Sequence, residues 1–185
     1  MNNPYYYKGA NPTVDLVLVS PEKKVLLILR SKKSGACPGM WAIPGGFVDT
    51  QAKKDEEWIP SHETPEQAAF RELVEETGIE ANLLDKSRLQ FNGTYEGNGR
   101  DPRDNSISWS KSNAFFYLMN ESEKHIINTV KGIDDNVDLD DAEDTHWFTF
   151  EEMANMKLAF DHNKILEDTL LKINNLNKKN VKKPA

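Results

Sequence analysis

The chain has 185 residues, 38% of them hydrophobic, and a formal net charge of −7. That length and apolar content suit one domain, with or without a tail, and exclude a disordered polymer; the negative balance argues against a general nucleic-acid binder, which needs clustered Lys and Arg on one basic face. A single cysteine, Cys37, forbids an internal disulfide, and with no membrane-length apolar run and no signal-peptide start at MNNPYYYKGANP the expected compartment is a reducing cytoplasm.

Residues 1–12 read as an N-terminal arm, whose Tyr5, Tyr6 and Tyr7 either stack on an adenine or dock on a neighbouring subunit. TVDLVLVS (13–20) and KVLLILRS (24–31) are rich in β-branched residues and leucine, and SPEKK between them has turn chemistry, which predicts a hairpin with Arg30 at its far end. WAIPGGFV (41–48) reads as a short strand broken by Pro44 and two glycines, where something approaches the backbone closely. The polar stretch TQAKKDEEWIPSH (50–62) is expected as a surface excursion pinned by Trp58.

Thr64, Pro65 and Gln67 supply an N-cap, a first-turn proline and a capping-box partner for a helix that stops at Gly78. RLQFNGTY (88–95) and ISWSKSNAFFYLM (107–119) are predicted strands around the loop EGNGRDPRDNS, and HWFTF (146–150) is one more. EEMANM and AFDHNKILEDTLLKINNL have helical spacing, and the basic end, NKKNVKKPA, is expected to fray as part of a tail over 173–185.

The helix RELVEETGIE raises the chemical question. Each helical residue advances about 100°, so Glu72, Glu75 and Glu76 share one acidic face, at the helix end least suited to negative charge. Arg71 can answer one carboxylate; several carboxylates converging on one point suit a hard divalent cation that takes oxygen ligands and keeps waters for a phosphate. For such a string alone, a solvated face with ordinary salt bridges is the competing account.

With PGGFV and Glu63 upstream, the run Arg71, Glu72, Leu73, Glu75, Glu76, Gly78 and Ile79 resembles the signature box of the Nudix hydrolase family. The resemblance implies an α/β class fold, a Nudix-type α/β/α sandwich with a mixed central β-sheet, over 13–172. One feature departs from the pattern: Glu63 lies 17 positions after Gly46 where the pattern expects 6, so the loop near 50–62 carries eleven extra residues, either as a lid over the substrate or as a solvated loop. Carried over by position, the resemblance implies that Glu72 and Glu76 are the main metal ligands and Glu75 a further ligand or the base. It further implies that Arg71 orients the carboxylates and that the Gly45 carbonyl joins the metal shell. Mg²⁺ is the expected ion, with Mn²⁺ as the alternative; metal lowers the pKa of the attacking water and neutralises charge on the phosphoryl oxygens.

GRDPR (99–103), DDAEDTHWFTFEEM (140–153) and LAFDHNKIL (158–166) resemble stretches of the ADP-ribose pyrophosphatase branch tied to NAD metabolism. Arg30, Arg100, Arg103 and Gly46 are the substrate-binding candidates; Arg100 and Arg103 either clamp phosphate oxygens or pair with Asp101 and Asp104 in a turn. The acidic cluster Asp140, Asp141, Glu143 and Asp144 reads for the most part as a solvated loop; because an acid from such a loop assists the metal or the water in related enzymes, the resemblance makes Asp141 and Glu143 the exceptions, with Glu143 placed among the catalytic residues beside Glu75 and Arg71. His162 reads as a structural histidine, with donation to substrate as the alternative.

The function implied is hydrolysis of a nucleoside diphosphate derivative, ADP-ribose to AMP and ribose 5-phosphate. Oxidised nucleotides, dinucleotides and nucleotide sugars are the alternative substrates. A ligand-sensing regulator is the rival from another class, since some relatives join this fold to a DNA-binding winged helix; the few residues after the last helix and the full set of box glutamates favour turnover. The expected partner is a small nucleotide diphosphate, with no nucleic acid and no membrane, and a homodimer is an open assembly.

Overall fold

The computed structural model describes residues 5–54, 56–97, 99–130 and 142–181. Among them seven strands form one mixed sheet: β1 Gly9–Val19, β2 Lys24–Arg30, β3 Trp41–Ala42, β4 Gly45–Phe47, β5 Gln90–Glu96, β6 Ser108–Leu118 and β7 Ala142–Thr149. Its main order is β3-β2-β1-β6-β5, with β4 also pairing β1 and β7 pairing β2. β1 and β6 are parallel in unbroken register from Gly9↔Ser108 to Val19↔Leu118, and the other pairings are antiparallel.

Alternation along β1 sorts the core into two layers. Val14, Leu16 and Leu18 face helix α1 (Pro65–Thr77), packing with Ala68, Ala69, Phe70 and Leu73. Val17 and Val19 face the other way, onto Ile165 and Leu166 of helix α3 (His162–Val181) and Met153 of the short helix α2 (Phe150–Met153). The expected α/β class with helices on both faces of a mixed sheet is what the chain adopts.

α1 begins as its sequence predicts: Thr64 accepts from the Gln67 N–H, and the Gln67 side chain accepts from the Thr64 N–H at 2.8 Å. It ends where the Gly78 N–H bonds the Val74 carbonyl. Two chain segments are more ordered than their composition suggests. β1 starts at Gly9, within the stretch expected as an arm, because the parallel ladder to β6 reaches that far. α3 runs to Val181, into the expected tail; its lysines Lys178 and Lys179 sit in the last turn, where positive charge is favoured by the helix dipole.

The stretch 50–62 folds back on itself instead of extending over the sheet. Thr50 Oγ1 donates to the Ile59 carbonyl at 2.6 Å, Thr50 bridges Pro60, and Lys8 bridges Glu57. Trp58 packs partly buried against the α1-side core, as its position in the polar stretch suggested. The loop's two ends therefore meet, and the Asp49 N–H donates to Glu63 at 2.8 Å. Glu63 is thereby held beside Asp49, with Arg71 2.7 Å away.

Candidate active site

β4 and α1 build one wall of a cleft of about 440 Å³. All five N–H donors of the Arg71 guanidinium are used. Nε donates to Glu63 at 2.7 Å, one terminal nitrogen to Glu72 at 2.8 Å and Glu75 at 2.9 Å, the other to the Phe47 carbonyl at 2.8 Å and Glu63 at 3.1 Å. Glu76, buried at 3% exposure, accepts from the Gly45 N–H at 2.8 Å.

The glycines are needed for a steric reason. A Cβ on Gly46 would lie 2.3 Å from a Glu72 carboxylate oxygen, and one on Gly45 would lie 2.1 Å from the Val14 carbonyl oxygen of β1. Gly46, expected to bind substrate, thus leaves room for the Glu72 carboxylate, and Gly45 lets β4 lie flat on β1.

Three carboxylates, Glu63, Glu72 and Glu75, share the Arg71 guanidinium and Glu76 lies on the same wall, so negative charge is in excess. Burial, with Glu75 and Glu63 adding and Arg71 opposing, pushes the Glu72 pKa up to about 7. Arg71 is held more firmly protonated, first by Glu63. Oxygen-only donors under excess negative charge fit a hard cation. No three acids or histidines among the described residues already form a cation cage, since the carboxylates point to Arg71 and Gly45.

The opposite wall comes from β1, the loop before β6, and the start of α3. Arg100 is not paired with its sequence neighbours: its guanidinium lies 3.3 Å from both Asp15 and Asp161. Arg103 does take the turn pairing, with Asp101 at 2.7 Å, and stacks over the Tyr5 ring at 4.9 Å. Asp104 accepts instead from the Tyr5 hydroxyl and the Ser110 N–H. Burial works to raise the Asp15 pKa, but His162, Arg100 and Ser112 overcome it and hold the carboxyl well below the usual range. Asp161 is shifted the other way, chiefly by its burial.

The Ile43 N–H donates to His162 Nδ1 at 2.8 Å. The other ring nitrogen, Nε2, lies 3.1 Å from Asp15. Arg30 reaches the cleft as expected, its Nε bonded to the Ala36 carbonyl and its guanidinium 5.1 Å from the Phe160 ring. Phe160 has a left-handed backbone, φ 52°, which costs a bulky residue about 1–3 kcal/mol.

The cleft thus brings together Gly45, Gly46, Arg71, Glu72, Glu75, Glu76, Arg30, Arg100 and Arg103. It does not include Glu143, whose carboxylate accepts from the Lys32 N–H at 2.9 Å and the Ser31 hydroxyl at 3.3 Å beyond the end of β2. β7 pairs with β2 up to that point, which draws Glu143 onto the hairpin end. Asp140 and Asp141 lie outside the described residues. No described residue of 50–62 lines the cleft. Tyr5, offered above for adenine or a second subunit, is buried in its own chain against Phe47 and Arg103. Sequence reasoning passed over Asp15, Phe47 and Phe160; of these, only Asp15 carried a signal, as an acid inside an otherwise apolar strand.

Residues 9–169 match the NUDIX domain. The chain belongs to the NUDIX family. It is 32% identical to an ADP-ribose pyrophosphatase of Methanocaldococcus jannaschii over 82% of this chain and 68% of that protein. It is 29% identical to the ADPR responsive transcriptional repressor NtrR of Acinetobacter baylyi over 91% of this chain, and it spans 56% of the repressor's length. The NUDIX domain of Shewanella oneidensis NrtR, solved in complex with ADP ribose, superposes with a TM-score of 0.66 at 26% identity over 90% of each chain. NrtR solved with a 27mer DNA superposes at 0.60 and 27% identity, over 87% of this chain and 61% of that one. These relatives place this NUDIX chain in the ADP-ribose pyrophosphatase-like branch.

The repressor and the DNA complex overturn the expectation that nucleic acid is excluded. That expectation came from net charge, which averages over the stretch it is taken on and cannot speak for the rest of a longer protein or for a local basic surface. No helix among the described residues is long and apolar enough to cross a membrane.

Proposed function

We propose that this NUDIX chain hydrolyses ADP-ribose to AMP and ribose 5-phosphate with a divalent cation, Mg²⁺ or Mn²⁺. The observation that carries it is the gathering of Glu63, Glu72 and Glu75 around one guanidinium, with Glu76 beside them on the Gly45 N–H, on one wall of a cleft that Arg30 also lines. The pyrophosphatase relative and the ADP ribose complex of a structural neighbour support the choice of substrate.

Glu72 and Glu76, with Glu75 and the Gly45 carbonyl, would hold the cation. When bound it supplies charge neutralisation on the diphosphate and a more acidic water. The protein's own groups do the rest. Arg71 keeps three carboxylates gathered against their mutual repulsion, and Glu75, the most exposed of them at 39%, is the group able to swing toward a water and take its proton. Arg30, with no ion pair among the described residues, has its charge available for phosphate oxygens. Glu143 remains a candidate to assist only through movement at the β7 end, since it is bonded to the hairpin.

The test is chromatography of ADP-ribose incubated with the chain and Mg²⁺ or Mn²⁺. Equimolar AMP and ribose 5-phosphate are expected; an intact substrate with both ions rejects the proposal. A second reading, an ADP-ribose-responsive regulator acting on DNA, is favoured by the repressor relative and by the 27mer complex. A DNA mobility shift altered by ADP-ribose, with no hydrolysis, would establish it instead.

A further inference from the structure

β3 gives one edge to β2, where Ala42 pairs Ile28, and the residues on either side of Ala42 turn their peptide groups to the other edge. That edge is closed by the start of α3 instead of a strand. The Ala159 N–H donates to the Trp41 carbonyl at 2.8 Å, and the Ile43 N–H donates to His162 Nδ1 at 2.8 Å. Between these two anchors the chain turns through Phe160 at its left-handed φ of 52°.

Ile43 leads straight into the stretch that meets the carboxylates. Pro44 has no N–H, so residues 43–45 hold only two backbone donors, and each is taken by a side chain from a helix on a different face of the sheet: Ile43 by His162 of α3, Gly45 by Glu76 of α1. The Pro44 carbonyl accepts from the Leu16 N–H of β1 at 2.9 Å. Gly45 sits opposite Asp15, one step past that bond, so its N–H points away from β1 toward α1 and its carbonyl lies on the same outer edge. With no side chain, Gly45 has nothing of its own to fix the direction of that carbonyl. The hydrogen bonds on either side do so. Glu76 makes one of them, but its carboxylate is also a candidate cation ligand. His162, buried at 2% exposure, makes the other from outside the carboxylate group.

We propose that His162 is a positioning residue for the cation site: through Nδ1 it holds the Ile43 peptide and so sets the direction of the Gly45 carbonyl. This rests on the reading above in which Gly45, Glu72, Glu75 and Glu76 hold a divalent cation, and not on turnover.

The test uses the full chain and Mn²⁺, whose free fraction is counted by electron paramagnetic resonance, at a temperature where circular dichroism shows the variants folded. Two substitutions separate the ring nitrogens. Asn keeps an acceptor where Nδ1 stands and leaves the Nε2 position empty, whereas Gln reaches the Nε2 position beside Asp15 and leaves Ile43 without its acceptor. His162→Gln is expected to weaken Mn²⁺ binding roughly tenfold, the scale of a lost outer-shell partner, while His162→Asn stays within about twofold of the unmodified chain. A second readout needs no variant. Coupling is reciprocal, so saturating Mg²⁺ should slow hydrogen exchange of the Ile43 amide roughly tenfold in the unmodified chain. Mn²⁺ affinity untouched by His162→Gln, or restored no better by Asn than by Gln, overturns the proposal, as does Ile43 exchange that Mg²⁺ leaves unchanged. A chain that shows this order of Mn²⁺ affinities yet releases no AMP overturns the hydrolase reading alone. One that releases AMP while both variants bind Mn²⁺ like the unmodified chain overturns the His162 assignment alone.

Discussion

On the α1 side of the cleft, Glu63, Glu72 and Glu75 share one guanidinium that is 30% exposed; on the α3 side, Asp15 and Asp161 share Arg100, which is 5% exposed. Both are carboxylate clusters around one arginine, yet they differ in what remains. Asp15 is surrounded by His162, Arg100 and Ser112 and is held ionised; Glu72 is pushed toward protonation by its burial, with Glu75 and Glu63 adding against Arg71. A cluster that is buried and answered holds the structure together. One that is half-open and over-supplied with negative charge has room for a further cation.

The largest effect should come from the buried cluster. Asp15→Ala leaves Arg100 and His162 without their shared partner, and urea denaturation is expected to show a loss of about 3–5 kcal/mol. On the α1 side the order reverses. Glu76→Gln should cut AMP release by roughly 10²–10³-fold, a barrier change of several kcal/mol, while the denaturation midpoint barely moves. If Glu76→Gln destabilised the chain as much as Asp15→Ala, the contrast between the clusters would be lost.

The neighbouring glycines sharpen it further. Gly45→Ala drives a Cβ into the Val14 carbonyl of β1, and a backbone clash should cost about 1–3 kcal/mol in thermal unfolding. Gly46→Ala meets only the mobile end of Glu72, so stability should change by less than about 1 kcal/mol while activity falls by up to roughly 10²-fold through misplacement of that carboxylate.

The smallest effect lies away from the cleft, in a balanced pair. Arg88 meets Glu123 at 2.9 Å, with the Tyr117 hydroxyl donating to the same carboxylate. Burial opposes, but Tyr117, Asn120 and Arg88 prevail and hold the Glu123 pKa below its ordinary value. A depressed folded pKa gives stability that is present above the unfolded pKa and lost as pH falls through the folded one. The stability difference between the unmodified chain and Glu123→Gln should therefore be about 1 kcal/mol or less at neutral pH and shrink below the ordinary carboxylate range, with AMP release unaffected at neutral pH.

Much of this was legible in advance because it is local. The capping box at Thr64 and Gln67, the hairpin around SPEKK, and the spacing of Glu72, Glu75 and Glu76 on one helical face follow from dihedral preferences and a fixed angular advance, and all appear in the structure. Arg71 facing those glutamates is likewise a short-range consequence of helical geometry.

What the sequence alone determined was therefore the carboxylate helix, its arginine, the glycine turn that had to meet it, and through these the NUDIX family. Only the tertiary structure decided that Arg100 pairs with Asp15 and Asp161 across the sheet, that Glu143 is drawn to the hairpin end, and that Tyr5 is buried under the cleft wall. Those partners lie some sixty to a hundred and more positions apart. Strand register and sheet order bring them together, and no local preference encodes which of several charged residues a distant arginine will meet.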